Sequence, residues 1–310
     1  MSILITGGAG FIGQNLIRTL KKESINEIII YDDFSLSNKS LLPNNVKVIE
    51  GRIEEKEKLL KSCKNVDTIV HLAAHTRVLE SIENPKKTFI SNIEGTFNIF
   101  ECCRINKIKK LIIASTGGAI IGNYSNPPIS ENIYPKPISP YGASKLFAEG
   151  FSSAYSESYD MSIVCLRFSN VYGPYSLFKD SVVSRFMKQI LRKEKILIYG
   201  DGRQTRDFIF SDDIANGILK TINSNIKNEV IQLASGIPLS INKLIKKLRN
   251  ICGNDHPFFV EKVKAKKGEV KNTWADISKS KKYIKFEPKT QIDDGLKVTW
   301  NYLKKNYVLT

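Results

Sequence analysis

A short apolar run, Ser2-Ile3-Leu4-Ile5-Thr6, leads straight into Gly7-Gly8-Ala9-Gly10-Phe11-Ile12-Gly13, and Leu16, Ile17 and Leu20 follow at helical spacing. Strand, glycine turn and helix in that order form one end of a βαβ unit, which favours an α/β fold with a parallel sheet. Gly7 permits a tight turn, Gly10 lets the backbone approach a pyrophosphate, and Gly13 allows the helix to pack closely on the strand. The first helical N–H groups, from Phe11 and Ile12 onward, then face the phosphates of a dinucleotide. A second strand ends at Asp32-Asp33. A carboxylate about 20 residues past the glycines accepts adenosine ribose hydroxyls and repels a 2′-phosphate, so the expected cofactor is NAD rather than NADP. Asp32 stands at the strand end; Asp33 either shares its role or caps the following turn.

The first half repeats this pattern. Ser2–Thr6, Glu27–Tyr31, Val46–Glu50, Thr68–Leu72, Leu111–Ala114 and Ser162–Arg167 read as strands. Between them, Phe89, Ile93, Phe97, Phe100 and Arg104 recur at helical spacing, as do Tyr141, Lys145, Phe147, Phe151 and Tyr155. The expected fold is α/β, a Rossmann-type doubly wound parallel sheet with ligands beyond the carboxyl ends of its strands. After about Asn170 the pattern loosens into Pro-, Gly- and Tyr-rich loops, isolated helices at Val182–Lys193 and Ile241–Cys252, and short strands. Ile214–Ile222 reads as a helix, and Val230–Leu233 could return to the sheet. The expected organisation is therefore an NAD-binding domain over 1–170 with a later return near 205–235, and a smaller, discontinuous α/β substrate lobe over 171–310.

Tyr141-Gly142-Ala143-Ser144-Lys145 places a phenol and an ammonium on one helix face, about one turn apart. A free tyrosine titrates near pH 10 and is a poor base at neutrality. Bringing it to about 7 requires about 4 kcal/mol. An ammonium at about 4 Å supplies that order at an effective dielectric of about 20, and an oxidised nicotinamide would add to it. The spacing thus proposes Tyr141 as a base and Lys145 as the group that lowers its pKa. Ser139-Pro140 precede the tyrosine, setting it at a helix start whose dipole also favours phenolate.

Bulk properties narrow the function classes. A chain of 310 residues suits two lobes, and its 42% apolar and 25% charged content is that of a globular protein. No apolar run approaches a membrane span, and the first residues already read as strand, which leaves no room for a signal peptide. Five cysteines without a C-x-x-C pair form neither a disulfide framework nor a zinc site, so a reduced cytoplasm and no metal are expected. The net charge of +16 is concentrated in the C-terminal half. Lysine runs such as Lys262–Lys267 and Lys279–Lys285 belong to no nucleic-acid module, and a positive field would attract a small anionic ligand instead.

These pieces are accompanied by His71-Leu72-Ala73-Ala74, Asn92-Ile93-Glu94-Gly95-Thr96, Ser115-Thr116-Gly117-Gly118 and Arg167-Phe168-Ser169-Asn170-Val171-Tyr172-Gly173-Pro174. Tyr199-Gly200-Asp201-Gly202, Thr205-Arg206-Asp207-Phe208 and Trp274-Ala275-Asp276 follow. Over nearly its whole length the chain resembles an extended short-chain dehydrogenase/reductase of the nucleotide-sugar epimerase/dehydratase type, most similar to UDP-glucose (UDP-galactose) 4-epimerases.

The resemblance implies an NAD-dependent 4-epimerase of a UDP-hexose, working through a 4-keto sugar, with Tyr141 and Lys145 catalytic and Thr116 bridging the sugar hydroxyl and the tyrosine. Ser115 is the alternative if the register is off by one. It implies cofactor contacts at Arg52, Ile53, Leu72, Ala73, Ala74 and Asn92 besides Gly7, Gly10, Phe11, Ile12, Gly13, Asp32, Asp33 and Lys145. Asn170, Tyr199, Arg206, Lys266 and Glu269 are its substrate contacts, and a homodimer through the Phe89–Arg104 and Tyr141–Tyr155 helices is implied too. Relatives carry Asp where this chain has Arg52, which weakens the adenine contact, and a tyrosine where it has Ile121. Thr273 replaces a bulkier residue of some epimerases, a feature that would admit N-acetylhexosamines. Dehydratases carry an Asp-Glu pair after the Thr; Gly117-Gly118 here removes the acid and base for water loss. The alternatives are a 4-keto-6-deoxyhexose reductase using NAD(P)H, and a dinucleotide-binding redox sensor, which would leave Tyr141 and Lys145 without a role. His71 is expected to be a satisfied strand-end histidine.

Overall fold

The computed structural model describes residues 1–253, 256–264 and 272–307. Its strands, in chain order, are β1 Ile3–Thr6, β2 Ile28–Asp32, β3 Lys47–Glu50, β4 Thr68–His71, β5 Lys110–Thr116 and β6 Ser162–Phe168. There follow β7 Asn170–Tyr172, β8 Ile196–Tyr199, β9 Thr205–Phe210, β10 Glu229–Leu233, β11 Pro238–Ser240 and β12 Val260–Val263. Seven of them form one all-parallel sheet in the order β10-β6-β5-β4-β1-β2-β3. The order reverses at β1, whose two neighbours are β2 and β4. That reversal opens a crevice at the carboxyl ends of the strands, where ligands settle in doubly wound sheets.

The sheet is covered on both faces. On one, Leu16, Ile17 and Leu20 of the Phe11–Lys22 helix pack with Ile214, Ala215 and Ile218 of the Ser211–Ile222 helix. On the other, Ile99 and Phe100 of the Gly95–Asn106 helix join Ala148 and Tyr155 of the Pro140–Tyr159 helix. Strands buried on both faces explain why β1, β4 and β6 read as unbroken apolar runs rather than alternating ones. The start of the expected Phe89–Arg104 helix differs from expectation: Phe89–Glu94 is a π-helical stretch.

The second lobe has its own core of Val183, Phe186, Leu244, Leu248, Leu296 and Trp300. It carries a three-stranded sheet, β11-β9-β7, and the parallel pair β12-β8. The chain crosses between the lobes repeatedly, since β10 lies in the main sheet beside β6 while β9 and β11 lie outside it.

Candidate active site

The glycine turn has the backbone that its sequence anticipates. Gly7 sits at φ +67°, and a Cβ there would lie 2.7 Å from the Ala73 nitrogen. At Gly13 a Cβ would lie 2.4 Å from the Gly8 carbonyl oxygen, so the helix can pack this closely only on glycine. Gly10 differs: a Cβ would meet only the Gly7 oxygen, at 3.2 Å. Gly10 is also the N-cap of the Phe11–Lys22 helix and provides no side-chain cap, and the first turn holds no acidic residue. Its first N–H groups therefore remain available to an anion. Gly10→Ala should lower the dinucleotide content of the purified protein while the thermal transition of the ligand-free chain stays near wild type; Gly13→Ala should lower that transition itself.

At the end of β2, Asp32 Oδ2 accepts from the Ala9 N–H at 2.9 Å, while Oδ1 accepts from Phe34 N–H at 2.9 Å and Ser37 Oγ at 3.1 Å. Burial raises its carboxyl above the usual range despite those donors. Asp33 is exposed and accepts from the N–H and hydroxyl of Ser35, the geometry of a turn cap. Arg52 is exposed and pairs with Glu54 at 3.4 Å, while its carbonyl accepts from the buried Tyr31 hydroxyl. Ile53 is buried beneath Gly95, whose missing side chain leaves it room. Asn92 clamps the backbone of His75 through both its oxygen and its amide, which also reaches Ser144 Oγ at 3.1 Å. Leu72, Ala73 and Ala74 run directly past Gly7 from the end of β4.

Beside this turn stands the Tyr–Lys pair. Ser139 caps the Pro140–Tyr159 helix by accepting from Gly142 N–H at 3.1 Å, and Pro140 occupies its first turn. Tyr141 is therefore at the helix start, half-buried, with its N–H donating to Ser81 Oγ. One turn on, buried Lys145 donates to the Ala114 carbonyl on β5 at 2.9 Å. Burial dominates the electrostatics of both groups: it pushes the Tyr141 phenol up to about 12 and the Lys145 ammonium down to about 8. The expected lowering of the phenol by Lys145, with an oxidised nicotinamide adding to it, would have to offset this burial.

Thr116 ends β5 and caps the short Gly117–Ile121 helix without using its hydroxyl as a cap. Ser115, one residue back, donates at 2.6 Å to the buried Glu149. That carboxylate is held by Arg167 of β6 through two parallel bonds, 2.8 and 2.7 Å. The register therefore commits Ser115 to the interior and leaves Thr116 at the strand end. Glu149 lies one turn beyond Lys145, a spacing that the sequence offers but that names no partner. No carboxylate follows Thr116, and a Cβ on Gly118 would meet nothing within 4 Å.

In the second lobe, Asn170 Nδ2 donates to the Asp207 carbonyl at 3.0 Å, and Arg206 donates to the Thr205 carbonyl at 2.9 Å. Tyr199 ends β8, and its carbonyl accepts from Gln204. Thr273 is half-buried, with its N–H on the Thr205 carbonyl. Lys266 and Glu269 lie outside the described residues. Sequence reasoning missed Asp207 as more than part of a motif. Its buried carboxylate accepts from Ser169 Oγ, Ser235 Oγ and the N–H groups of Ser235, Gly236 and Ala275. His71 bridges Thr6 and Thr96 through its two ring nitrogens, and burial together with Lys145 lowers it to about 3, so it is neutral. Among the described residues no cluster of three His, Cys, Asp or Glu is placed to hold a metal.

Residues 3–234 match the model of the NAD dependent epimerase/dehydratase family. The chain belongs to this family. A UDP-glucuronate 4-epimerase of Thermodesulfobacterium geofontis is 36% identical over 99% of this epimerase/dehydratase chain and 97% of its own. The crystal structure of a UDP-glucose 4-epimerase from Thermotoga maritima, with UDP-glucose, superposes at a TM-score of 0.92, with 33% identity over 98% of this chain and 99% of that one. A UDP-N-acetylglucosamine 4-epimerase of Methanobrevibacter ruminantium, in complex with UDP-N-acetylmuramic acid, gives 0.91 and 31% identity over 98% of both chains. The cofactor of this epimerase/dehydratase is NAD, and the uncapped helix start, the Gly7 cradle and the Asp32 carboxylate fit it.

Proposed function

We propose that this chain inverts the configuration at C4 of a UDP-activated hexose. The observation that carries the reading is the Tyr141–Lys145 pair at a helix start beside Thr116, with no carboxylate following that threonine to expel water. Gly7, Gly10, Phe11, Ile12 and Gly13 would take the cofactor's pyrophosphate, Asp32 its adenosine ribose and Lys145 its nicotinamide ribose. Once bound, NAD supplies reversible removal and return of hydride at the sugar carbon. Tyr141 takes the C4 hydroxyl proton, with Thr116 bridging the hydroxyl and the phenol. Arg206 would grip the diphosphate as a charge-assisted fork while the 4-keto sugar turns over in the pocket, which presents the other face of C4 for hydride return as Tyr141 gives its proton back to the C4 oxygen. Asn170 and Tyr199 complete the nucleotide side, with Tyr199 against the base; Lys266 and Glu269 are carried as contacts by resemblance alone.

The relatives are named for three different sugars, and the half-buried Thr273 is compatible with a bulky N-acetyl group, so all three UDP-sugars are candidate substrates. No relative described above is a reductase, which leaves the 4-keto-reductase alternative without a supporting observation. The test is to incubate the protein with UDP-glucose, UDP-N-acetylglucosamine and UDP-glucuronate separately, without added cofactor, and follow C4 stereochemistry by proton NMR. A 4-epimer of at least one is expected; inertness to all three, with NADH oxidation by a 4-keto sugar nucleotide, would overturn the reading.

The chain is further proposed to act as a cytoplasmic homodimer. Five buried thiols and no membrane-length apolar helix among the described residues are compatible with that compartment. Ile93, Phe97, Phe147 and Phe151 line a groove of about 390 Å³ between the two helices implied for pairing, and Phe89 and Phe97 are exposed beside it. Light scattering should give twice the chain mass of 35.0 kDa, and Phe97→Asp should halve it.

A further inference from the structure

Lys179 belongs to no motif that the proposed function uses. It lies between β7 and the Val182–Leu191 helix, half-buried, and its ammonium reaches across to Thr76 Oγ1 at 3.3 Å. Thr76 follows β4, so the contact joins the substrate-side lobe to the dinucleotide side. The backbone that presents Lys179 is pinned: Lys188 Nζ donates to the carbonyls of Leu177 at 3.2 Å and Lys179 at 2.8 Å, and Ser176 Oγ to that of Gly173 at 2.7 Å. Among the described residues Lys179 makes no ion pair; its neighbour Asp180 is exposed.

The surroundings are cationic. Burial, then Arg77, holds the Lys179 ammonium below the ordinary lysine range, and Lys179 adds to the depression of Lys145. Arg77 leans on Glu80 only at 3.7 Å and is more than half exposed. Arg77 and Lys145 are thus near enough to interact with Lys179 electrostatically, and the exposed Asp180 opposes them only in part. A partly desolvated cation with no carboxylate partner gains most when an anion arrives.

We propose that Lys179, with Thr76 and Arg77, is an oxyanion receptor beside the Tyr141–Lys145 pair, taking a negatively charged oxygen of the bound sugar nucleotide. The inference rests on the 4-epimerase reading and adds residues to its binding site. Two parts of such a ligand supply the chemistry, the diphosphate bridge and the ring carboxylate of a hexuronate.

Calorimetric titration of NAD-loaded wild type and Lys179→Met with UDP, UDP-glucose and UDP-glucuronate separates them. Loss of a charge-assisted bond predicts weakening of roughly 10- to 100-fold. If all three ligands weaken alike, the diphosphate is the partner; if UDP-glucuronate alone weakens, the carboxylate is. Lys179→Arg, which keeps the charge, should recover most of the loss. Affinities for all three within twofold of wild type would overturn the inference, as would a loss confined to NAD content. If wild type inverts a UDP-hexose while Lys179→Met binds unchanged, only this inference fails. A wild-type chain that bound none of the three would sink the 4-epimerase reading and this one with it.

Discussion

Tyr141→Phe should lower kcat/KM for C4 inversion by about 10²- to 10⁴-fold, the range that a positioned acid–base contributes, with UDP affinity within about twofold of wild type. The substitution removes one oxygen and keeps the ring, so the half-buried site loses little packing. The reason for so large an effect lies in the balance of charges around the phenol. Burial holds Tyr141 at about 12 while Lys145, donating to the Ala114 carbonyl, sits near 8. Neither group favours an ion pair in the ligand-free chain. In the proposed mechanism a bound oxidised cofactor would add the positive charge that favours phenolate, and that support would fall away once the sugar is oxidised. Tyr141 would then hold its proton until the ketone is reduced again. A Phe variant that kept a tenth or more of wild-type turnover, measured by NMR of the two C4 epimers, would remove Tyr141 from the chemistry.

The second large effect is structural. Glu149→Gln should destabilise the chain by about 3–5 kcal/mol, because it leaves the Arg167 guanidinium buried without its counter-charge. Glu149 and Arg167 are both buried, their two bonds are parallel and short, and Ser115 adds a third to the same carboxylate. Arg167 Nη1 already lacks a partner, so the guanidinium has no spare contact to fall back on. At about 2 °C or more per kcal/mol for a chain of this size, the thermal transition should fall by on the order of 10 °C. Removing both charges, as in Glu149→Gln with Arg167→Met, should recover much of the loss, since a buried pair is often replaceable by apolar groups. A single variant that melts within about 2 °C of wild type would show that the pair contributes little. The same pair fixes the Pro140–Tyr159 helix against β5 and β6 one turn beyond Lys145, so the single variant should also lose turnover where it still folds.

Much of this architecture could be read from the chain. The Gly7–Gly13 spacing follows from backbone needs that only glycine meets, the unbroken apolar strands from burial on both faces, and the recurrence through Tyr155 from the 3.6-residue helical period. Strand ends shifted by a residue or two: β2 runs on to Asp32, and β5 to Thr116, because pairing with β3 and β6 extends them. What stayed illegible depends on who meets whom across the sheet. Spacing places Glu149 on the face of Lys145 but not beside an arginine on β6. Asp207 reads as a neighbour of Arg206 until the chain returns to it at Ser235, Gly236 and Ala275. Burial of Tyr141 was illegible for the same reason, since a pairwise attraction can be counted along a helix and desolvation cannot.

Asp207 also sets where this molecule can be cut and recombined. One carboxylate gathers the ends of three separate stretches, around 169, 235 and 275, onto β9. A chimera that exchanged only the C-terminal part after 236 with a relative would divide those donors between parents. Exchanges of sugar preference should therefore tolerate swapping single loops, such as 174–180, far better than swapping the lobe as one contiguous block.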